Sequence, residues 1–95
     1  MRLERSDAAV ADVDGLWTYV AQDSERAADQ LVDRLDEAFQ SLLAFPRMGL
    51  ARADLAPNLR ALRVDNLIVF YRVEGDVLSV ERILHARMDA TRFDF

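Results

Sequence analysis

The stretch "ILHARMDATRF", Ile83 to Phe93, begins as an apolar, strand-like run and then carries the only histidine of the chain, His85, with Arg87 and Arg92 close behind. An imidazole can serve as a general base, but that role needs an acid or hydroxyl partner held in a fixed frame, and no such partner adjoins His85 in sequence. Arginines spaced through the strand-like segments before it, Arg60, Arg63, Arg72 and Arg82, have planar forks that match carboxylates two bonds at a time. Arg82 interrupts a buried-looking run, so it is either paired to an acid or exposed for a partner. Tyr71, within "LIVFYRV", is placed for a core or sheet-face role rather than for acid catalysis. His85 is therefore read as a polar contact, together with Arg87 and the adaptable apolar Met88. No catalytic residue is assigned.

Composition narrows the chemistry further. The chain has no cysteine and a single histidine, which excludes a disulfide framework and a thiolate metal site and leaves no basis for a structural zinc or other cofactor. All twelve cationic side chains are arginine. Residues 1–46 hold four arginines against ten acids, a balance of −6, whereas residues 47–95 hold eight against seven, a balance of +1. An acidic chain of this kind does not suit direct nucleic-acid binding, which rests on many phosphate contacts. Its Arg-bearing second half suits contact with another protein. No apolar run approaches the roughly 20 residues that span a bilayer, and "MRLERSD" lacks the apolar stretch of a signal peptide, so a cytoplasmic protein with no membrane partner is expected.

The elements that must position these residues follow from hydrophobic periodicity. At 95 residues there is room for a single domain, 1–95, and 52% hydrophobic content is ample for its core. "MRLERS" reads as a short edge strand. Ser6 then caps a helix whose apolar stripe is Val10, Val13, Trp17 and Val20, flanked by Ala9 and Leu16, with Trp17 anchoring it to a sheet. Ser24 caps a second helix with Ala28, Leu31, Leu35, Ala38, Phe39 and Leu42 on one face, and Phe45-Pro46 stops it. "LARADLAPN" reads as a loop. Three strands follow, "LRALRVD", "LIVFYRV" and "VLSVERIL"; a two-residue Gly75-Asp76 turn sets Tyr71 opposite Val80, a three-residue loop sets Phe70 there instead, and the first is favoured because it groups Val69, Tyr71, Val73, Leu78 and Val80 on one face. The fold class is α+β: an N-terminal strand, a helical hairpin, then a three-stranded antiparallel meander, β-α-α-β-β-β. One sheet face is expected to stay open, and the core to end by Leu84, with Phe93 and Phe95 as the anchors of the tail if the tail is structural.

"DVDGLWTYVA", "AADQLVDRL" with "FPRMG" after it, "LRALRV", "IVFYRV" and "VERILHARMD", in this order and spacing, resemble the ParE toxins of the RelE/ParE toxin–antitoxin superfamily over almost the whole chain. The resemblance implies a plasmid-stabilisation type of toxin that poisons DNA gyrase and is neutralised by a ParD-like antitoxin. Antitoxin contacts are expected from Arg60, Arg63, Tyr71, Arg72 and Arg82, and target contacts from His85, Arg87, Met88 and Arg92. A RelE-like, ribosome-dependent endoribonuclease is the alternative. It would need a proton acceptor, cations for the phosphate and a donor for the leaving oxygen. The sequence offers no lysine and, after its last strand, Phe93 in place of a phenol. A third reading is a family member that binds its antitoxin without being toxic.

Overall fold

Ser6 opens the first helix as its polarity requires: its hydroxyl accepts the Ala9 N–H at 2.9 Å, and Asp7 stands in the first turn near the positive end of the helix dipole. In the computed structural model, which describes residues 1–95, this helix, α1, spans Asp7–Ala21 and follows strand β1, Arg2–Arg5. Ser24 caps α2, Glu25–Ala44, through the Ala27 N–H. Phe45 leaves the helical region at φ −133°, the conformation that a following proline imposes. The buried side of α2 consists of Ala28, Leu35, Phe39 and Leu42, all from the expected face.

In α1 the buried side is turned by about one residue from the expected stripe. Ala9 is fully buried, Val13 and Leu16 pack beside it, and Val10 is exposed. Trp17 does not anchor the helix to the sheet. Its indole N–H donates to Asp29 at 2.9 Å, so it joins the two helices to each other. A polar handle on a half-buried ring went to the nearest carboxylate, which the apolar pattern does not encode.

Five strands form one sheet in the order β1-β5-β4-β3-β2, with β2 at Leu50–Ala51, β3 at Leu59–Val64, β4 at Leu67–Glu74 and β5 at Val77–His85. β3, β4 and β5 make the expected antiparallel meander, and Gly75 at φ +60° closes the two-residue turn that sets Tyr71 opposite Val80. β1 lies parallel to β5, pairing Arg2 with Val77 through Arg5 with Val80. Two residues of the expected loop, Leu50 and Ala51, pair with Ala61 and Arg60 as the far edge of the sheet. No helix is long and apolar enough to cross a membrane.

A bulge breaks the alternation of β5. Phe70 faces Arg82 while Tyr71 faces Val80, so Glu81 is the extra residue. The bulge returns Ile83 to the side of Val80, where both meet Leu35, Phe39 and Leu42 of α2 in the main core.

The opposite sheet face is not open as expected. Ala56, Leu59, Phe70 and Leu84 form a second buried cluster, covered by Leu55 and by the C-terminal tail through Phe93 and Phe95. The Phe70 and Phe95 rings lie 4.8 Å apart, tilted by 44°. Burial on both sides explains why β4 reads as a nearly unbroken apolar run. It also extends the core past Leu84, because the tail folds back by a short 3-10 turn at Ala90–Arg92 whose N-cap is Asp89.

Candidate partner-binding surface

Tyr71 is central to the sheet and completely buried, so its phenol had to find partners inside the protein. It donates to the Pro46 carbonyl at 2.6 Å and accepts from the Gly49 N–H at 3.0 Å. A methyl group on Gly49 would lie 2.7 Å from the Tyr71 hydroxyl oxygen, so only glycine permits this approach. Arg60 completes the knot by donating to the Gly49 carbonyl at 2.7 Å and, at 3.4 Å, to that of Arg47. Burial raises the pKa of the phenol above its ordinary value; the Gly49 N–H and the charge of Arg60 offset only part of this. Tyr71 is thereby removed from the partner-facing set. It fixes the chain between α2 and β2.

Arg82 is committed as well. Its Nε and Nη2 donate to the two carboxylate oxygens of Asp12, each at 2.8 Å, and this pairing raises its already high pKa. The Ile83 N–H donates to the same carboxylate at 2.9 Å. β1 covers β5 only as far as Val80, and beyond that point α1 serves the edge instead. The Ser6 hydroxyl donates to the Glu81 carbonyl and Asp12 takes the next N–H. The Arg82 guanidinium also sits 4.8 Å from the centre of the Phe93 ring, clamping the tail from the side. Of the two alternatives left open for Arg82, pairing to an acid is the one observed.

The other arginines diverge. Arg72 donates to the Pro57 carbonyl at 3.1 Å and lies 3.4 Å from Glu81, on the tail-covered face with Arg82. Arg63 is exposed, and its Nε donates to the Asp65 carbonyl. Arg60 points to the helix side. These five residues therefore do not form one patch. His85, Arg87 and Met88 do sit together: the half-buried His85 accepts the Arg87 N–H at its Nδ1, and Met88 is 52% exposed. Arg92 stands on the adjacent 3-10 turn, 3.7 Å from Asp89. No group of three or more His, Asp or Glu side chains is placed to hold a metal ion.

One surface escaped the periodicity argument. Phe45, Met48 and Leu50 follow the end of α2 and are 69%, 45% and 76% exposed. Phe45 and Met48 border a trough of about 860 Å³ between the end of α2 and β3, with Ala51, Val73, Arg47 and Arg60 also around it, while Leu50 stands on the other side of the sheet edge. The sequence signal was an apolar "FPRMGL" with no helical or strand period, which reads as loop.

A helical hairpin on a mixed five-stranded sheet, with most of its arginines bonded internally and its apolar surplus on a few exposed loops, defines a small α+β protein. Residues 3–90 match the family described as ParE toxin of type II toxin-antitoxin system, parDE, and the chain belongs to that family. It is 34% identical over 89 residues to Toxin ParE3 of Caulobacter vibrioides, covering 93% of this chain and 89% of that protein. Toxin ParE1 of Mycobacterium tuberculosis is 36% identical over 90 residues, covering 92% and 91%. Among solved structures, "Chromosomal ParDE TA system from P. aeruginosa" superposes with a TM-score of 0.75 at 25% identity, covering 90% of this chain and 95% of that one. The chain is a type II toxin of the ParE type in the RelE/ParE superfamily.

Proposed function

We propose that all 95 residues act as one toxin domain in the cytoplasm, that a ParD-like antitoxin silences it, and that its target is DNA gyrase, inhibited by binding rather than by catalysis. The observation that carries the non-catalytic reading is the commitment of the polar side chains on the sheet. The Tyr71 phenol is buried between Pro46 and Gly49, so it cannot protonate a leaving oxygen without dismantling that knot. Arg82 and Arg72, on the same face of the sheet, are engaged with Asp12, Pro57 and Glu81. Half-buried His85 and exposed Arg87 and Met88 then supply contacts to the target, and the solved ParDE relative supports an antitoxin partner.

The test is induced expression with and without the neighbouring antitoxin gene, followed by purified-protein assays. A DNA damage response in cells and stalled gyrase–DNA cleavage complexes in vitro are expected, both lost in Arg87→Ala with Met88→Ala. Ribosome-dependent cutting of a message by the purified chain would replace this reading with the nuclease one. Unimpaired growth at high expression would favour a family member that only binds antitoxin.

A further inference from the structure

The two edges of the sheet are built differently. The outer side of β1 is flanked by Arg2, Glu4 and Arg5, with Arg2 paired to Glu4 and Arg5 to Asp36, the charged decoration that discourages strand addition. β2 ends in Leu50 and Ala51, both exposed, with no charge on either. A free apolar edge of this kind is a template for an incoming strand.

That edge is also held still. Gly49, immediately before β2, is fixed through its N–H by Tyr71 and through its carbonyl by Arg60, and Arg52 after it donates its N–H to the Leu59 carbonyl at 2.8 Å. A template held at both ends loses little further entropy when it is used.

Charge identifies what fits. Seven of the twelve arginines lie against a carboxylate. In a chain with 17 acids, Arg47 and Arg60 are among the five that do not, and the residues around the trough include no carboxylate at all. Arg60 is occupied by backbone carbonyls, but Arg47 is exposed and uncompensated beside Phe45 and Met48. An acidic occupant with apolar side chains complements this surface.

We infer that the antitoxin adds an extended segment to the free edge of β2. Its apolar side chains fall alternately into the trough by Phe45, Met48 and Ala51 and against Leu50 on the other side, and a carboxylate meets Arg47. The inference rests on the antitoxin reading above and names its docking site. The period of two along a strand requires that alternation, since Ala51 pairs with Arg60 on the helix side and Leu50 with Ala61 on the tail side.

The experiment measures the affinity of the full chain for the antitoxin encoded beside it. Leu50→Asp and Arg47→Glu are compared with Arg26→Glu, an exposed α2 arginine that makes the same change in net charge without a carboxylate partner or a place in the trough. Leu50→Asp and Arg47→Glu are each expected to weaken binding by roughly tenfold or more, and Arg26→Glu by much less. Hydrogen exchange at Ala51, the β2 residue whose N–H faces the free edge because the Arg52 N–H is already bonded to Leu59, should slow on complex formation, and unchanged melting of the free variants establishes that they fold. Binding of the wild type that is indifferent to Leu50→Asp, equal losses in Arg47→Glu and Arg26→Glu, or an unprotected Ala51 amide would overturn the docking site and leave the antitoxin reading standing. No binding of the wild-type chain would overturn both.

Discussion

Replacing Phe93 and Phe95 together by alanine should destabilise the whole domain, although both lie beyond the last strand. Each ring is half-buried against the Phe70, Leu59 and Leu84 cluster. At roughly half the 1.5 to 3 kcal/mol of a fully buried aromatic side chain, the pair contributes about 1.5 to 3 kcal/mol by area alone. The Phe70–Phe95 contact and the Arg82–Phe93 contact add roughly 0.5 to 1 kcal/mol each. The expected loss is therefore about 2.5 to 5 kcal/mol, against a total of about 5 to 15 kcal/mol for a small domain. For a small domain that lowers the melting temperature by about 10 to 40 °C. Thermal and urea unfolding followed by circular dichroism measure it directly. A double variant that melts within about 5 °C of the wild type would refute the docked tail, and with it the second core. The same assay separates the two uses of the tail. Arg87→Ala with Met88→Ala removes exposed groups, so it should leave stability within about 0.5 kcal/mol while abolishing toxicity.

Asp12→Ala should cost about 2 to 4 kcal/mol, since it strands a mostly buried guanidinium and the Ile83 N–H at once; a double-mutant cycle with Arg82→Met should return a coupling of at least about 1 kcal/mol. Tyr71→Phe should cost about 1 to 3 kcal/mol by orphaning the Gly49 N–H and the Pro46 carbonyl. It should also change the alkaline limb of the stability curve. The folded chain holds the Tyr71 proton at pH values where the unfolded chain has released it, so wild-type stability is intact below about pH 10 and falls as pH rises through the folded pKa. Chemical denaturation between pH 9 and 11 should find that part of the slope missing in Tyr71→Phe. Gly15→Ala should stabilise by about 0.5 to 1 kcal/mol, because the position is inside α1 and a new methyl meets nothing within 4 Å; unchanged or lower stability would contradict the helix geometry there.

What the sequence made legible is what short-range chemistry decides. Ser6 and Ser24 cap helices wherever those helices pack, Pro46 stops α2 by local sterics, and Gly75 admits the turn that puts Tyr71 opposite Val80. What it hid depends on meetings between distant segments. Asp12 and Arg82 are 70 residues apart, and nothing in either neighbourhood distinguishes a carboxylate that will cap the edge of β5 from one that will stay in water. The bulge at Glu81 changes which side chains share a face, so simple alternation misplaces Ile83. The tail looked dispensable because its two phenylalanines have no periodic partners; their partners, Phe70, Leu59 and Leu84, lie on three strands. The same reasoning applies to the nominated site. Arginine, tyrosine and histidine are read as contact residues because they can bind a partner, yet a fold of this size has so little interior that it uses the same groups to satisfy its own backbone. Tyr71 and Arg82 are spent in this way. The surface left for recognition is then better marked by what the fold does not use: Arg47 without an acid, Leu50 without a cover, and Arg87 and Met88 on an exposed turn.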